Sequence, residues 1–82
     1  MTDTYTDYYE TLQVSTTADP ETIHRVFRIL AQRFHPDNQA TGDTEQFQKL
    51  TEAYEVLSDP SRRAQYDVHH SKQRRERSKL IA

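Results

Sequence analysis

Cysteine is absent from this sequence of 82 residues, and so is tryptophan. Without thiols the chain can hold no disulfide, no thiolate zinc site and no cysteine nucleophile. That fits a reducing compartment, and a cytoplasmic location is expected. Glycine occurs once, at Gly42, and proline three times. No apolar run approaches the roughly 18 residues of a membrane-spanning helix. The opening Met1-Thr2-Asp3-Thr4-Tyr5 lacks the positive and apolar regions of a secretory signal. Membrane association is therefore not indicated within this chain.

What the chain does have is charge, at 29 % of residues against 33 % hydrophobic. The net charge of −2 conceals a split between two regions. Residues 1–68 carry 6 Lys/Arg against 12 Asp/Glu, whereas residues 69–82 carry 5 against 1. The body is acidic and the tail basic. The length suits one small domain, whose apolar burial is limited.

Helical periodicity dominates and strand alternation is scarce, so the fold class is all-α. Thr6 is expected to cap a short helix over residues 7–12, with Tyr8, Leu12 and Tyr9 as its packing residues. Asp19-Pro20 is a start signal, an N-cap acceptor followed by proline in the first turn. Ile23, Val26, Phe27, Leu30, Ala31 and Phe34 then form a stripe at the 3.6-residue period. Arg25, Arg28, Ile29 and Gln32 fall on the opposite side, with His24 and Arg33 flanking the stripe.

Pro36 stops that helix, because proline disfavours helical geometry at the preceding His35. Asp43 and Gln46 have the spacing of a capping box. A third helix is expected from there to about Ser58, with Phe47, Leu50, Tyr54 and Leu57 on one face and Ala53 nearby. The short connection makes it an antiparallel neighbour of the second. Asp59-Pro60 repeats the start signal for a short fourth helix over residues 60–66, which the basic segment at 71–80 either prolongs or follows.

His35-Pro36-Asp37 thus lies at the tip of a helical hairpin, where rigidly presented polar groups suit recognition. Catalysis would need a water-excluding pocket and a nucleophile beside the pair, and neither is indicated. Adjacent His69 and His70 point in different directions on a helix, unlike a zinc-binding pair at i, i+4. No metal or cofactor is therefore expected, and the chain is not expected to be an enzyme. Arg25, Arg28 and Arg33 stand out against the acidic body, and Ile29 between them has no obvious reason to face water. Such a surface suits a partner with carboxylates and a small apolar patch. Lys72, Arg74, Arg75, Arg77 and Lys79 could engage nucleic acid. A solvated helix extension is the preferred reading, since Glu76 dilutes the run and no aromatic residue interleaves it.

The segments Asp7-Tyr8-Tyr9-Glu10-Thr11-Leu12, Arg33-Phe34-His35-Pro36-Asp37, Ala53-Tyr54-Glu55-Val56-Leu57-Ser58-Asp59-Pro60 and Arg62-Arg63-Ala64-Gln65-Tyr66-Asp67 resemble a J domain of the DnaJ co-chaperones. Phe47 fits as well, and order and spacing agree over about residues 6–68. The resemblance implies a four-helix J-domain fold around an antiparallel hairpin of the second and third helices. It leaves residues 1–5 as a flexible start and 69–82 as a basic extension or linker.

It also implies docking on the ATP-bound form of a DnaK-type heat-shock chaperone, stimulation of its ATP hydrolysis, and coupling to client binding. His35, Pro36 and Asp37 would be the signalling tip, and Asp37 would meet a cationic group. Arg25 and Arg28 would form the docking face, supported by His24 and Arg33, while Ile29 joins that partner-binding surface by its place on the helix and not by the resemblance. A monomer without a small-molecule substrate is expected. The alternatives are a degenerate J-like module that docks without stimulating ATPase, and a nucleic-acid-binding module using the tail. Three departures bear on docking: Gln13 where the family commonly has glycine, Ile29 where a basic residue is common, and His24 in place of Lys or Arg. Asn38-Gln39 also replaces a more basic loop.

Overall fold

The computed structural model describes residues 7–81, with side chains described for residues 7–72. The expected frayed start at 1–5, Thr6 and the side chains of Arg74, Arg75, Arg77 and Lys79 lie outside these. Four helices form and, among the described residues, no strand: α1 (Tyr8–Thr11), α2 (Pro20–Phe34), α3 (Thr44–Leu57) and α4 (Pro60–Ile81).

Aspartates start all four. Asp7, not Thr6, is the N-cap of α1, its carboxylate accepting from the amides of Tyr9 and Glu10. Asp19 accepts from Thr22, with Pro20 in the first turn of α2. That amide hydrogen bond holds the Asp19 carboxyl below its usual pKa. Asp43 accepts from the Gln46 amide. The expected capping box is one-sided, because the Asp43 N–H donates instead to the carbonyl of Phe34 at 3.0 Å. That bond ties the end of α2 to the start of α3. Asp59 receives the amides of Ser61 and Arg62 at the start of α4.

α1 ends in a Schellman motif, with Val14 N–H on Tyr9 O and Gln13 N–H on Glu10 O, both at 3.0 Å. Gln13 therefore takes the left-handed position at φ 58°, the only non-glycine residue with positive φ among those described. A side chain there meets the steric penalty that glycine avoids.

α3 is the centre of the fold, with α1, α2 and α4 each packed on it. α2 and α3 run antiparallel. Phe27 near the middle of α2 stacks on Tyr54 late in α3 at 4.1 Å, while His35 beyond the end of α2 meets Phe47 near the start of α3. The buried core comprises Tyr9, Leu12, Ile23, Leu30, Leu50, Ala53 and Leu57. Tyr8, Phe27, Phe34 and Tyr54 are only partly buried and pack on its margin. Phe47 is half-buried but lies outside the core cluster, because its ring turns toward His35.

α4 runs unbroken to Ile81, so the segment at 71–80 prolongs the helix expected at 60–66 and does not follow it as a separate element. Its first half is held by polar contacts at a helical period. Arg63 donates to the carbonyls of Thr16 and Ala18, at 3.2 and 2.6 Å, and to the Tyr9 hydroxyl at 3.1 Å. That hydroxyl in turn donates to Asp67. Tyr66 stacks on Tyr8 at 4.7 Å and its hydroxyl accepts the Tyr8 amide. One turn on, His70 is buried and its Nε2 lies 3.2 Å from the Asp7 carboxylate. The N-cap of α1 thus also anchors α4, fixing the platform on which the α2–α3 hairpin stands.

Candidate functional site

The tip follows from how α2 ends. His35 leaves helical geometry at φ −56°, ψ 136°, as its position before proline requires. Beyond it the chain folds back, and loop 38–43 supplies donors to the carbonyls that a helix end leaves unsatisfied. The Asn38 side-chain amide reaches the carbonyl of Gln32 at 3.4 Å, the Thr41 hydroxyl donates to that of Arg33, and the Asp43 amide to that of Phe34. The Asn38 N–H donates to His35 O at 2.9 Å. Asn38 Oδ1 accepts from both Ala40 and Thr41, at 3.0 and 3.1 Å.

Gly42 completes the brace. Its N–H donates to Asn38 O at 2.7 Å. A Cβ built on it would lie 2.5 Å from the carbonyl oxygen of His35 and closer still to that of Asn38. Backbone oxygens cannot swing aside as a flexible side chain can, so the lone glycine of the chain sits where only glycine fits.

At the tip itself the Asp37 amide donates to His35 Nδ1 at 3.1 Å. An amide can only donate, so Nδ1 is the acceptor and the neutral imidazole carries its proton on Nε2. The Asp37 carboxylate stands 3.9 Å from the same nitrogen, too far for a hydrogen bond, and its side chain is 94 % exposed. The His35 side chain is half-exposed, its ring set edge-on against Phe47 at 5.3 Å. The tip therefore presents an imidazole braced at one nitrogen and a carboxylate open to a partner.

Beside it runs an open groove of about 700 Å³. Arg25, Arg28, Ile29 and Gln32 of α2 line it, together with His35. Phe27, Ala31 and Phe47 contribute apolar surface, and no carboxylate lines it. Arg25 is bridged to Glu21 at 2.9 Å in a largely exposed pair, which contributes little to stability. No ion pair engages Arg28 or Arg33 among the described residues.

The groove brings together four of the residues singled out from sequence: Arg25, Arg28, Ile29 and His35. His24 is outside the lining, with Nδ1 against the Tyr54 hydroxyl at 2.8 Å. Arg33, Pro36 and Asp37 are exposed but outside it too. His70 faces Asp7 and not a metal cluster, and no such cluster occurs among the described residues. Sequence reasoning missed Asn38, Thr41 and Gly42 as the brace and Phe47 as groove wall. A lone glycine shortly after a helix-ending proline was the available signal for the brace.

This chain is similar to known proteins over most of its length. A family model described as the DnaJ domain matches residues 7–67. Chaperone protein DnaJ of Lacticaseibacillus casei (strain BL23) is 53 % identical over 66 residues, covering 79 % of this chain and 17 % of that protein. The protein of the same name from Ureaplasma parvum serovar 3 is 54 % identical over 61 residues, 74 % of this chain and 16 % of its own length. That of Listeria monocytogenes serotype 4b is 50 % identical over 64 residues, 77 % of this chain and 17 % of its own length. The chain thus spans about a sixth of the length of the curated relatives it matches.

Proposed function

Since the chain belongs to the DnaJ domain family, we propose that it is a co-chaperone module that docks on the ATP-bound form of a DnaK-type chaperone and stimulates its ATP hydrolysis. The observation that carries this reading is the placement of His35 at the end of a groove edged by Arg25 and Arg28 and lined by no carboxylate. A cationic, partly apolar groove attracts an acidic surface and holds it against the tip. The Asp37 carboxylate, exposed and not hydrogen-bonded to the imidazole, then meets a cation of the partner.

The module carries out no chemistry itself. His35 and Asp37 stand on an open tip, where neither water exclusion nor a positioned nucleophile supports acid–base catalysis. It acts as a monomer in the cytoplasm and needs no cofactor. Its effect on client proteins runs through the chaperone, whose hydrolysis step closes it on a polypeptide.

Single-turnover ATP hydrolysis by a DnaK-type chaperone, with the native chain and with His35→Gln, tests the proposal. Acceleration by the native chain that the variant loses is the expected result. Docking with unaltered hydrolysis would instead make the chain a J-like binding module without stimulating activity.

A further inference from the structure

Docking through Arg25 and Arg28 does not account for the apolar residue of that face. Ile29 is 58 % exposed, and Val68 on α4 is the only other large hydrophobic side chain so exposed among the described residues. Solvent exposure of a single aliphatic residue needs no explanation by itself. The position of Ile29 does. It lines the groove together with Arg25 and Arg28, and its surface neighbours on α2 at i−4, i+3 and i+4 are Arg25, Gln32 and Arg33. It is a neutral, unhydrogen-bonding patch set among cations.

We infer that Ile29 is a specificity contact: the DnaK-type partner presents an uncharged aliphatic side chain opposite it, flanked by carboxylates that face Arg25 and Arg28. The inference rests on the docking function proposed above. Arg25 and Arg28 call for carboxylates on the occupant and Ile29 for an uncharged aliphatic group, because no carboxylate lines the groove and the Glu21 that bridges Arg25 does so in an exposed pair that a partner's carboxylate can replace. A partner with a carboxylate opposite Ile29 would have to bury that charge against a side chain offering no hydrogen bond. The contact therefore selects in two ways, by burying aliphatic surface with the matching partner and by penalising an acidic one.

The sign of one substitution separates this reading from a face that reads charge alone. Affinity for the DnaK-type chaperone of the organism that carries this chain, in its ATP-bound state, is measured for the native chain, Ile29→Lys, Ile29→Ala and Arg28→Ala. Lysine is a good helix former at an exposed site, so circular dichroism should show the fold retained. Ile29→Lys adds a positive charge yet should weaken binding by about tenfold or more, and Ile29→Ala by a few-fold. The loss in Ile29→Ala should persist when salt is raised, whereas the loss in Arg28→Ala should shrink.

Equal or tighter binding by Ile29→Lys would overturn the inference while leaving docking intact. So would self-association of the native chain that Ile29→Lys abolishes without changing chaperone affinity, since the patch would then serve a second copy. Failure of the native chain itself to bind would refute the proposed function, a result distinct from both.

Discussion

His35 and Asp37 are bonded to each other through a backbone proton, the Asp37 amide donating to His35 Nδ1 at 3.1 Å, and not through imidazole and carboxylate. The neutral ring should therefore show an unprotonated Nδ1 and a protonated Nε2 in long-range ¹⁵N–¹H spectra. The opposite tautomer would contradict the arrangement. Asp37→Asn keeps the amide bond and should keep the tautomer. It should abolish ATPase stimulation while changing stability by no more than about 0.5 kcal/mol, as an exposed substitution does.

Gly42→Ala should damage the tip from behind. The added methyl meets the carbonyl oxygens of His35 and Asn38, so the loop must move. A loss of about 1–3 kcal/mol is expected, with amide shifts changing through residues 35–42 and little change in α4. An unaltered melting curve would show that the loop relaxes without cost.

Gln13→Gly should act in the other direction. Its φ of 58° is unfavourable for a residue with a side chain, and the exposed Gln13 side chain makes no hydrogen bond among the described residues. Glycine there should stabilise the domain by about 1 kcal/mol, raising Tm by about 4–8 °C at this size. A lower Tm would mean that the entropy glycine adds to the unfolded chain outweighs the relieved strain.

Alkaline pH should loosen the contact between α1 and α3. The Tyr8 hydroxyl donates to Glu52 at 2.7 Å, and burial together with that carboxylate pushes its pKa from 10.0 to about 12. Burial raises the Tyr9 hydroxyl as well, helped by its bond to Asp67. A raised folded-state pKa favours the protonated form in the fold. Its stabilisation is full below pH 10 and is lost as pH rises toward 12. Urea melts from pH 9 to 12, with tyrosinate absorbance followed in parallel, should show stability falling over that window. Tyr8→Phe should flatten the fall, and an unchanged slope would remove Tyr8 from the account.

Much of this architecture can be read from local chemistry. Asp19-Pro20 and Asp59-Pro60 announce helix starts because capping involves groups only two or three residues apart. The stripe from Ile23 to Phe34 faces α3 for the same reason that any amphipathic helix buries one side. The length of α4 is less legible. Arg63, Tyr66, Asp67 and His70 recur at helical spacing, but they are polar or amphipathic and form no apolar stripe. Their partners, Tyr9, Tyr8 and Asp7, lie more than fifty residues away. Whether Tyr8 or Tyr9 enters the core is settled by where α3 and α4 stand, which neither tyrosine encodes alone. The brace of Asn38, Thr41 and Gly42 acts on backbone carbonyls, which carry no side-chain signature. The arginines of α2 are legible as a face, but the groove needs Phe47 from the other side of the hairpin to complete it.

The closing of loop 38–43 on α2 also sets the polarity that an approaching surface meets. A helix ordinarily ends in bare carbonyl lone pairs and carries the negative pole of its dipole there. Here the carbonyls of Gln32, Arg33, Phe34 and His35 each receive a donor from the chain itself. The acceptors nearest the tip are already engaged, so they offer an incoming carboxylate little repulsion to set against Arg28. Residues 1–68, net acidic by count, thus keep a cationic groove on α2 directly beside the exposed Asp37 carboxylate, so that a partner of mixed charge meets both signs in a fixed order.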